Sequence, residues 1–235
     1  MKIIFPLVLI ISVLIGCKNR NANEGSGNVP NDPTEKLNVQ IKNFSEIDTT
    51  GIFMFPLRMG ETKGRIDSYE YKNMPYNSYW NIIFYNSKTK EQHLLSDKKM
   101  LIESFITNHE SDSERNLNWA KNYIFYNIKI QDINKDSLLN ENDPVYLFVS
   151  DKSGENFRQI SPSHYDVHRW EMTNSELIIL SASKDSNSNN KFDGEDEISI
   201  FEIDLKSTEA PKEIFSEAFK KELKVLYGRD WKRIK

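Results

Sequence analysis

The chain has one cysteine in 235 residues. No disulfide can form within it, so its stability rests on packing or on bound ions. Cationic excess is also missing, because 31 Lys and Arg face 35 Asp and Glu for a net charge of −4. That balance gives nucleic-acid binding no electrostatic support. Nine glycines are spread over the chain, and no G-x-x-x-x-G-K, G-x-G-x-x-G or G-x-S-x-G is among them, which removes the common phosphate-cradling loops and the nucleophile elbow. Four histidines occur, and none belongs to an H-E-x-x-H. His164 and His168 stand four apart in a stretch that reads as turn and strand, where that spacing does not turn two imidazoles the same way. With the one cysteine at position 17, no thiol nucleophile remains in the body of the chain, and no carboxylate pair stands out as catalytic.

Long apolar runs are equally scarce. The longest, Ile3–Ile15, has 13 residues and follows Lys2. A bilayer span takes about 20 residues, so the run fits the apolar core of a secretory signal. It ends in Leu14-Ile15-Gly16-Cys17, which resembles the lipobox of bacterial lipoproteins. The resemblance implies cleavage after residue 16 and lipidation of Cys17, hence a membrane contact through the lipid. Lys18 follows in place of an inner-membrane retention aspartate, so the expected location is the cell envelope, at the outer membrane. Removing residues 1–16 takes Lys2 away and leaves 30 Lys and Arg against 35 Asp and Glu, a net of −5. Residues 17–45 are expected to be the lipidated cysteine and a tether. The part from 18 to 43, rich in Asn, Gly, Pro and charge, has too few large apolar residues for a core. As a coil it spans about 25–30 Å on average.

What is abundant is β-forming sequence. GIFMF (51–55), WNIIFYN (80–86), NYIFYNIKI (122–130), VYLFVS (145–150), ELIILSAS (176–183) and ISIFEIDL (198–205) are strand-length bursts of β-branched and aromatic residues. Turn formers such as NSKTKE (86–91) and DKSGEN (151–156) separate them. One segment, 213–228, has a helical period, with Ile214, Phe215, Ala218, Phe219, Leu223 and Leu226 on one side and Gly228 suited to its C-cap. The expected fold of residues 46–235 is mainly β, closed by this helix. A weak repeat relates 82–105, 146–172 and 199–215, each preceded by a further strand. VYLFVSDKSGENFRQISP, with its D-x-x-G hairpin, resembles a blade of TolB-like, WD40-like propellers. The resemblance implies antiparallel blade-like repeats. About three fit in the chain, fewer than a closed propeller needs, which leaves a partial propeller or a stack of sheets. The four tryptophans are expected in the core or at blade edges.

Two acidic segments carry the most specific chemistry. One runs from Asp132 through Asn134, Asp136, Leu138 and Asn140 to Asp143. The other runs from Asp185 through Asn187, Asn189, Lys191 and Asp193 to Asp196. Oxygen-bearing side chains stand at loop positions 1, 3, 5 and 12 in both, and position 8 is apolar (Leu139, Phe192). The spacing resembles the 12-residue calcium loop of EF-hands and dockerins. Calcium takes six to eight oxygens, and alternate residues of a tightly wound loop can aim at one point. The resemblance implies ligands from positions 1, 3 and 5, from the backbone carbonyl of position 7 (Leu138, Lys191), and from position 9 or 12. Position 12 is Asp in both loops, and position 6 lacks glycine. Asn190 adopts left-handed geometry readily and Ser137 less so. All-oxygen ligands favour Ca2+ over zinc. The expected role is a calcium-stabilised binding or scaffold module for a protein or glycan partner. The alternative is a hydrolase, or an accessory subunit of an envelope glycan-degrading system.

Overall fold

The computed structural model describes residues 39–41, 43–58, 78–107 and 122–231. Every element in them belongs to one compact unit, Asn38–Lys235. The signal segment 1–16, Cys17 and the tether up to residue 38 lie outside the described residues, as does Trp119.

Thirteen strands and one helix follow in order: β1 Gln40–Ile41, β2 Ser45–Ile47, β3 Ile52–Arg58, β4 Tyr79–Asn86, β5 Gln92–Leu94, β6 Leu101–Ile106, β7 Tyr123–Lys129, β8 Tyr146–Asp151, β9 Arg158–Gln159, β10 Tyr165–Met172, β11 Leu177–Lys184, β12 Glu197–Asp204, β13 Lys212–Glu213 and α1 Glu217–Asp230. All pairings are antiparallel between neighbours. They group into three four-stranded meanders: β2 to β5, β6 to β9 and β10 to β13. The first two merge into one sheet through a single pair, Tyr79 opposite Ile102. The mainly β, blade-like architecture with a C-terminal helix is therefore as the sequence pattern indicates. β1 continues the edge beyond β2, setting Gln40 and Ile41 against Arg58 and Leu57. Three residues of the expected tether 17–45, Gln40 and Ile41 here and Ser45 in β2, thus already belong to the sheet.

The meanders are held together face to face by two apolar clusters. One joins Met54, Ile82 and Phe84 of the first meander to Ile124, Tyr126 and Phe148 of the second. The other joins Phe125, Leu147 and Val149 of the second to Ile178, Leu180 and Phe201 of the third. Successive strand residues point to opposite faces, so Ile124 and Phe125, or Leu147 and Phe148, serve different clusters. This explains why β7 and β8 read as nearly continuous apolar runs, since both faces are buried. β12 alternates instead, because only one of its faces is covered.

The D-x-x-G hairpin joins β8 to β9. The carboxylate of Asp151 accepts from the Ser153 N–H (2.9 Å), the Glu155 N–H (2.9 Å) and the Asn156 side-chain amide (2.8 Å). Burial works to raise this carboxyl, but the hydrogen bonds from Ser153, Asn156 and Glu155 hold it below the usual range. Gly154 has φ +84° and lies directly over the Phe84 ring of the first meander.

Two expectations need correction. The helix starts after Ser216, whose hydroxyl accepts from the Phe219 N–H, and it runs through Gly228 to a cap at Trp231. Residues 212–213 pair with β12 instead, and Gly228 needs no left-handed geometry because the Trp231 N–H already reaches the Tyr227 carbonyl. The helix buries no residue. Nor are all the tryptophans in the core: Trp170 packs against the second cluster, at 4.9 Å from the Phe125 ring, whereas Trp231 is 75% exposed. Among the described residues, no helix is long and apolar enough to cross a membrane.

Candidate metal centre

The two acidic segments are the connections from β7 to β8 and from β11 to β12. Each joins the second strand of its meander to the third, so they occupy equivalent places. The equivalent connection of the first meander, residues 59–77, lies outside the described residues.

In the two loops the hydrogen bonds from backbone N–H groups to side chains match one for one. At position 1, Asp132 accepts from the N–H of Asp136 (3.1 Å) and of Ser137 (2.7 Å). Asp185 accepts from Asn189 (3.1 Å) and Asn190 (2.9 Å). At position 3, Asn134 and Asn187 each accept from the N–H two residues on, at 3.0 Å. At position 5, Asp136 and Asn189 do the same at 2.8 Å, toward Leu138 and Lys191. At position 9, Asn140 and Asp193 accept from Asn142 (2.8 Å) and Glu195 (2.9 Å). These are the local turns that Asn and Asp make with their own backbone. They wind the chain so that every second side chain faces inward.

Position 12 closes each ring. One oxygen of Asp143 accepts from the Ile133 N–H at 3.0 Å, and the other from Asn140 at 3.0 Å. Asp196 accepts from Ser186 (2.8 Å) and Asp193 (3.1 Å). Both carboxylates are buried, at 3% and 8% exposure. Of the two readings of the last ligand, the structure draws both positions into the loop. The Asn140 amide donates to Asp136 (3.0 Å), and the Asn189 amide donates to Asp193 (3.3 Å).

The winding puts position 6 in left-handed geometry, with φ 70° at Ser137 and 59° at Asn190. Position 4 is left-handed as well, with φ 60° at Lys135 and 59° at Ser188. Sequence reasoning missed position 4, because neither lysine nor serine favours such backbone. The carboxylate of position 1, bonded to the two N–H groups that follow, holds it there. Leu139 at position 8 is buried and fastens the first loop to the domain, while Phe192 is half-buried.

Charge separates the two loops. In the first, the charges of Asp132 and Asp136 act on the buried Asp143. Burial pushes the Asp143 carboxyl above its ordinary range. The Asn140 and Ile133 N–H groups oppose the shift, and the negative charges of Asp132 and Asp136 add to it. The second loop has Asn189 where the first has Asp136, and the Ser186 N–H holds the Asp196 carboxyl below its usual range. Among the described residues, only the first loop has a buried cation behind it. Lys129, 3% exposed, donates to the Asp143 carbonyl and pairs with Glu103 at 3.2 Å. Replacing Lys129 by methionine is expected to cost about 2 kcal/mol, because the buried carbonyl loses its donor. Urea unfolding checks this.

The donor chemistry fits a hard cation. Each loop offers side-chain oxygens at positions 1, 3, 5, 9 and 12 and a carbonyl at position 7, with no nitrogen or sulfur ligand. Each of those side chains spends an oxygen lone pair on a backbone N–H, and a second remains. Among the described residues, no three His, Cys, Asp or Glu side chains converge as a metal-holding group. The oxygens here are shared between carboxylates and the carboxamides of Asn134, Asn140, Asn187 and Asn189. His168 pairs only loosely with Asp166, at 3.8 Å, and His164 sits in a turn at φ 64°.

A cleft of about 460 Å3 separates the loops. Asn134, Asn142 and Asp143 line it from one side, and Asn190, Phe192 and Asp193 from the other. No protein-family model matches the chain, and no curated protein or solved structure matches it either.

Proposed function

We propose that the protein is a lipid-anchored envelope protein whose blade-like domain is stabilised by calcium in the two loops and serves as a binding or scaffold module. The observation that carries this reading is the repetition of one hydrogen-bond pattern at equivalent places in consecutive meanders. Asp132, Asn134, Asp136, Asp143 and the Leu138 carbonyl would hold the first ion. Asp185, Asn187, Asn189, Asp193, Asp196 and the Lys191 carbonyl would hold the second. The anchor would be Cys17. The partner would be a protein or glycan, and the cleft between the loops, with carboxamides, carboxylates and one half-buried ring, suits a polar ligand.

The test is thermal unfolding in EDTA, in calcium and in magnesium. A cation bound only by the folded state adds about 2.7 kcal/mol per site at a hundredfold excess over Kd. For a domain of this size that raises the unfolding temperature by about 5–10 °C. Calcium is expected to do so and magnesium far less, because magnesium demands octahedral geometry and sheds water reluctantly. Equal curves in all three conditions would refute the calcium reading. Metabolic labelling with a palmitate analogue, lost in Cys17→Ala, tests the anchor separately.

A further inference from the structure

The first strands of the second and third meanders each carry one extra residue. In β6 the register against β7 slips between Ile102 and Ser104, which makes Glu103 the extra residue. In β10 the register against β11 slips between Val167 and Arg169, which makes His168 the extra residue. Bulges of this kind re-aim side chains and are over-represented beside functional sites. Here both extra residues open into one cleft of about 370 Å3 between the two meanders. A regular strand would send only alternate residues into it. Across the bulge of β10, four consecutive residues line it: Val167, His168, Arg169 and Trp170.

The polar groups of the cleft are held in place by their neighbours. The indole N–H of Trp170, in the third meander, donates to the carboxamide oxygen of Asn127, in the second, at 3.4 Å. The Asn127 amide in turn donates to the Ser104 hydroxyl at 2.9 Å. The half-buried Trp170 ring rests on Phe125, with the ring centres 4.9 Å apart. One oxygen of Glu103 pairs with the buried Lys129 at 3.2 Å, and Lys129 is itself fixed on the Asp143 carbonyl. Asp166 accepts from the Val145 N–H at 2.7 Å and stands 3.8 Å from the His168 imidazole. Groups ordered in advance lose little freedom when a ligand arrives.

The chemistry of the lining selects the ligand. Glu103 is matched by Arg169, so the cleft favours neither sign of charge. Glu103 accepts hydrogen bonds, Arg169 donates them, and Asn127 and His168 do both. Hydroxyl groups meet such a mixture well, because each one donates and accepts. The indole adds a flat apolar surface with a polar edge, which suits the C–H face of a sugar ring. The volume falls in the range of small-ligand sites, about 300–1,000 Å3.

We propose that this cleft binds a neutral saccharide, with a sugar ring against Trp170 and its hydroxyls on Glu103, Asn127, His168 and Arg169. The site is separate from the cleft between the acidic loops, and it does not depend on calcium in them.

The test titrates the full-length chain, in EDTA and a sugar-free detergent, with maltohexaose, cellohexaose, mannohexaose and N-acetylchitohexaose, followed by calorimetry. At least one is expected to bind with a Kd below about 1 mM. His168→Ala with Arg169→Ala should weaken that binding at least about tenfold. The unfolding temperature should not move, because these side chains are 40% and 78% exposed. Trp170→Leu should weaken binding more than Trp170→Phe, since both fill space against Phe125 and only the second keeps a flat ring. No binding of any of the four, or binding that the double variant leaves unchanged, would overturn the proposal. Binding that appears only when calcium is added would place the sugar at the loops and overturn it too.

Discussion

Replacing Gly154 by alanine is expected to destabilise the protein by about 3–5 kcal/mol. Two independent penalties meet there. The φ of +84° is backbone that an L side chain rarely adopts. A Cβ would also lie 2.4, 2.5 and 2.6 Å from three carbons of the Phe84 ring. That ring is 1% exposed, at the centre of the cluster between the first and second meanders, and it stacks on His93 at 5.5 Å. It has no room to withdraw, so the hairpin must lift and carry the Asp151 network with it. Urea unfolding of the two proteins measures the loss. Adding Phe84→Leu supplies the control, because a smaller side chain relieves the contact but leaves the backbone penalty. The double variant should therefore lose less than the sum of the single ones. Strict additivity would mean that the hairpin does not rest on Phe84, and that the meanders are joined elsewhere.

Gly154 also shows what the sequence can and cannot convey. The D-x-x-G pattern announces a turn, because Asp and Gly each have a local reason to be there. It does not announce that the glycine touches residue 84, some seventy positions earlier. The same division holds throughout. The strands were legible because their residues favour pleated, half-buried surfaces, and β7 and β8 were plain because burial on both faces makes an unbroken apolar run. The period of the repeat was legible in the order long, short and long, but its phase was not: the last strand of the unit 82–105, β6, and of the unit 146–172, β10, each opens the next meander. The helix was visible from its period, but the period says only that one side is apolar. Which side is covered depends on where Glu197 and Glu213 sit, and they draw in Lys220 and not Phe219. In the loops, the alternation of Asp and Asn conveyed positions 1, 3 and 5 because each makes its own local turn. The left-handed backbone at Lys135 and Ser188 was not legible, since those residues are there in spite of their preferences and are held by Asp132 and Asp185.

Truncation of Asp143 to alanine is expected to cost about 2–5 kcal/mol in EDTA, through two backbone N–H groups left without acceptors. One of them belongs to Asn140, which is 2% exposed. Asp196→Ala is the matched change in the second loop, and the two loops should answer acid with opposite sign. The Asp143 carboxyl is raised above its ordinary 3.8, so the folded state binds that proton more tightly than the unfolded chain. Its contribution is most favourable below 3.8 and diminishes as pH rises through the raised value. Asp196 is lowered. Its contribution is present above 3.8 and is lost as pH falls through the folded value. Unfolding free energies of the wild type and both alanine variants, followed across the carboxylate range in EDTA, separate the two. Calcium reverses the first case, because a cation among Asp132, Asp136 and Asp143 favours the ionised carboxylate, and protons then compete with it. Calcium stabilisation through the first loop should therefore fade at a higher pH than through the second. Asp143→Ala should abolish the more acid-sensitive part, and Asp196→Ala the rest. A protein that responds to calcium equally with both aspartates removed would hold its ion elsewhere, and the loops would then be hairpins wound by their own hydrogen bonds.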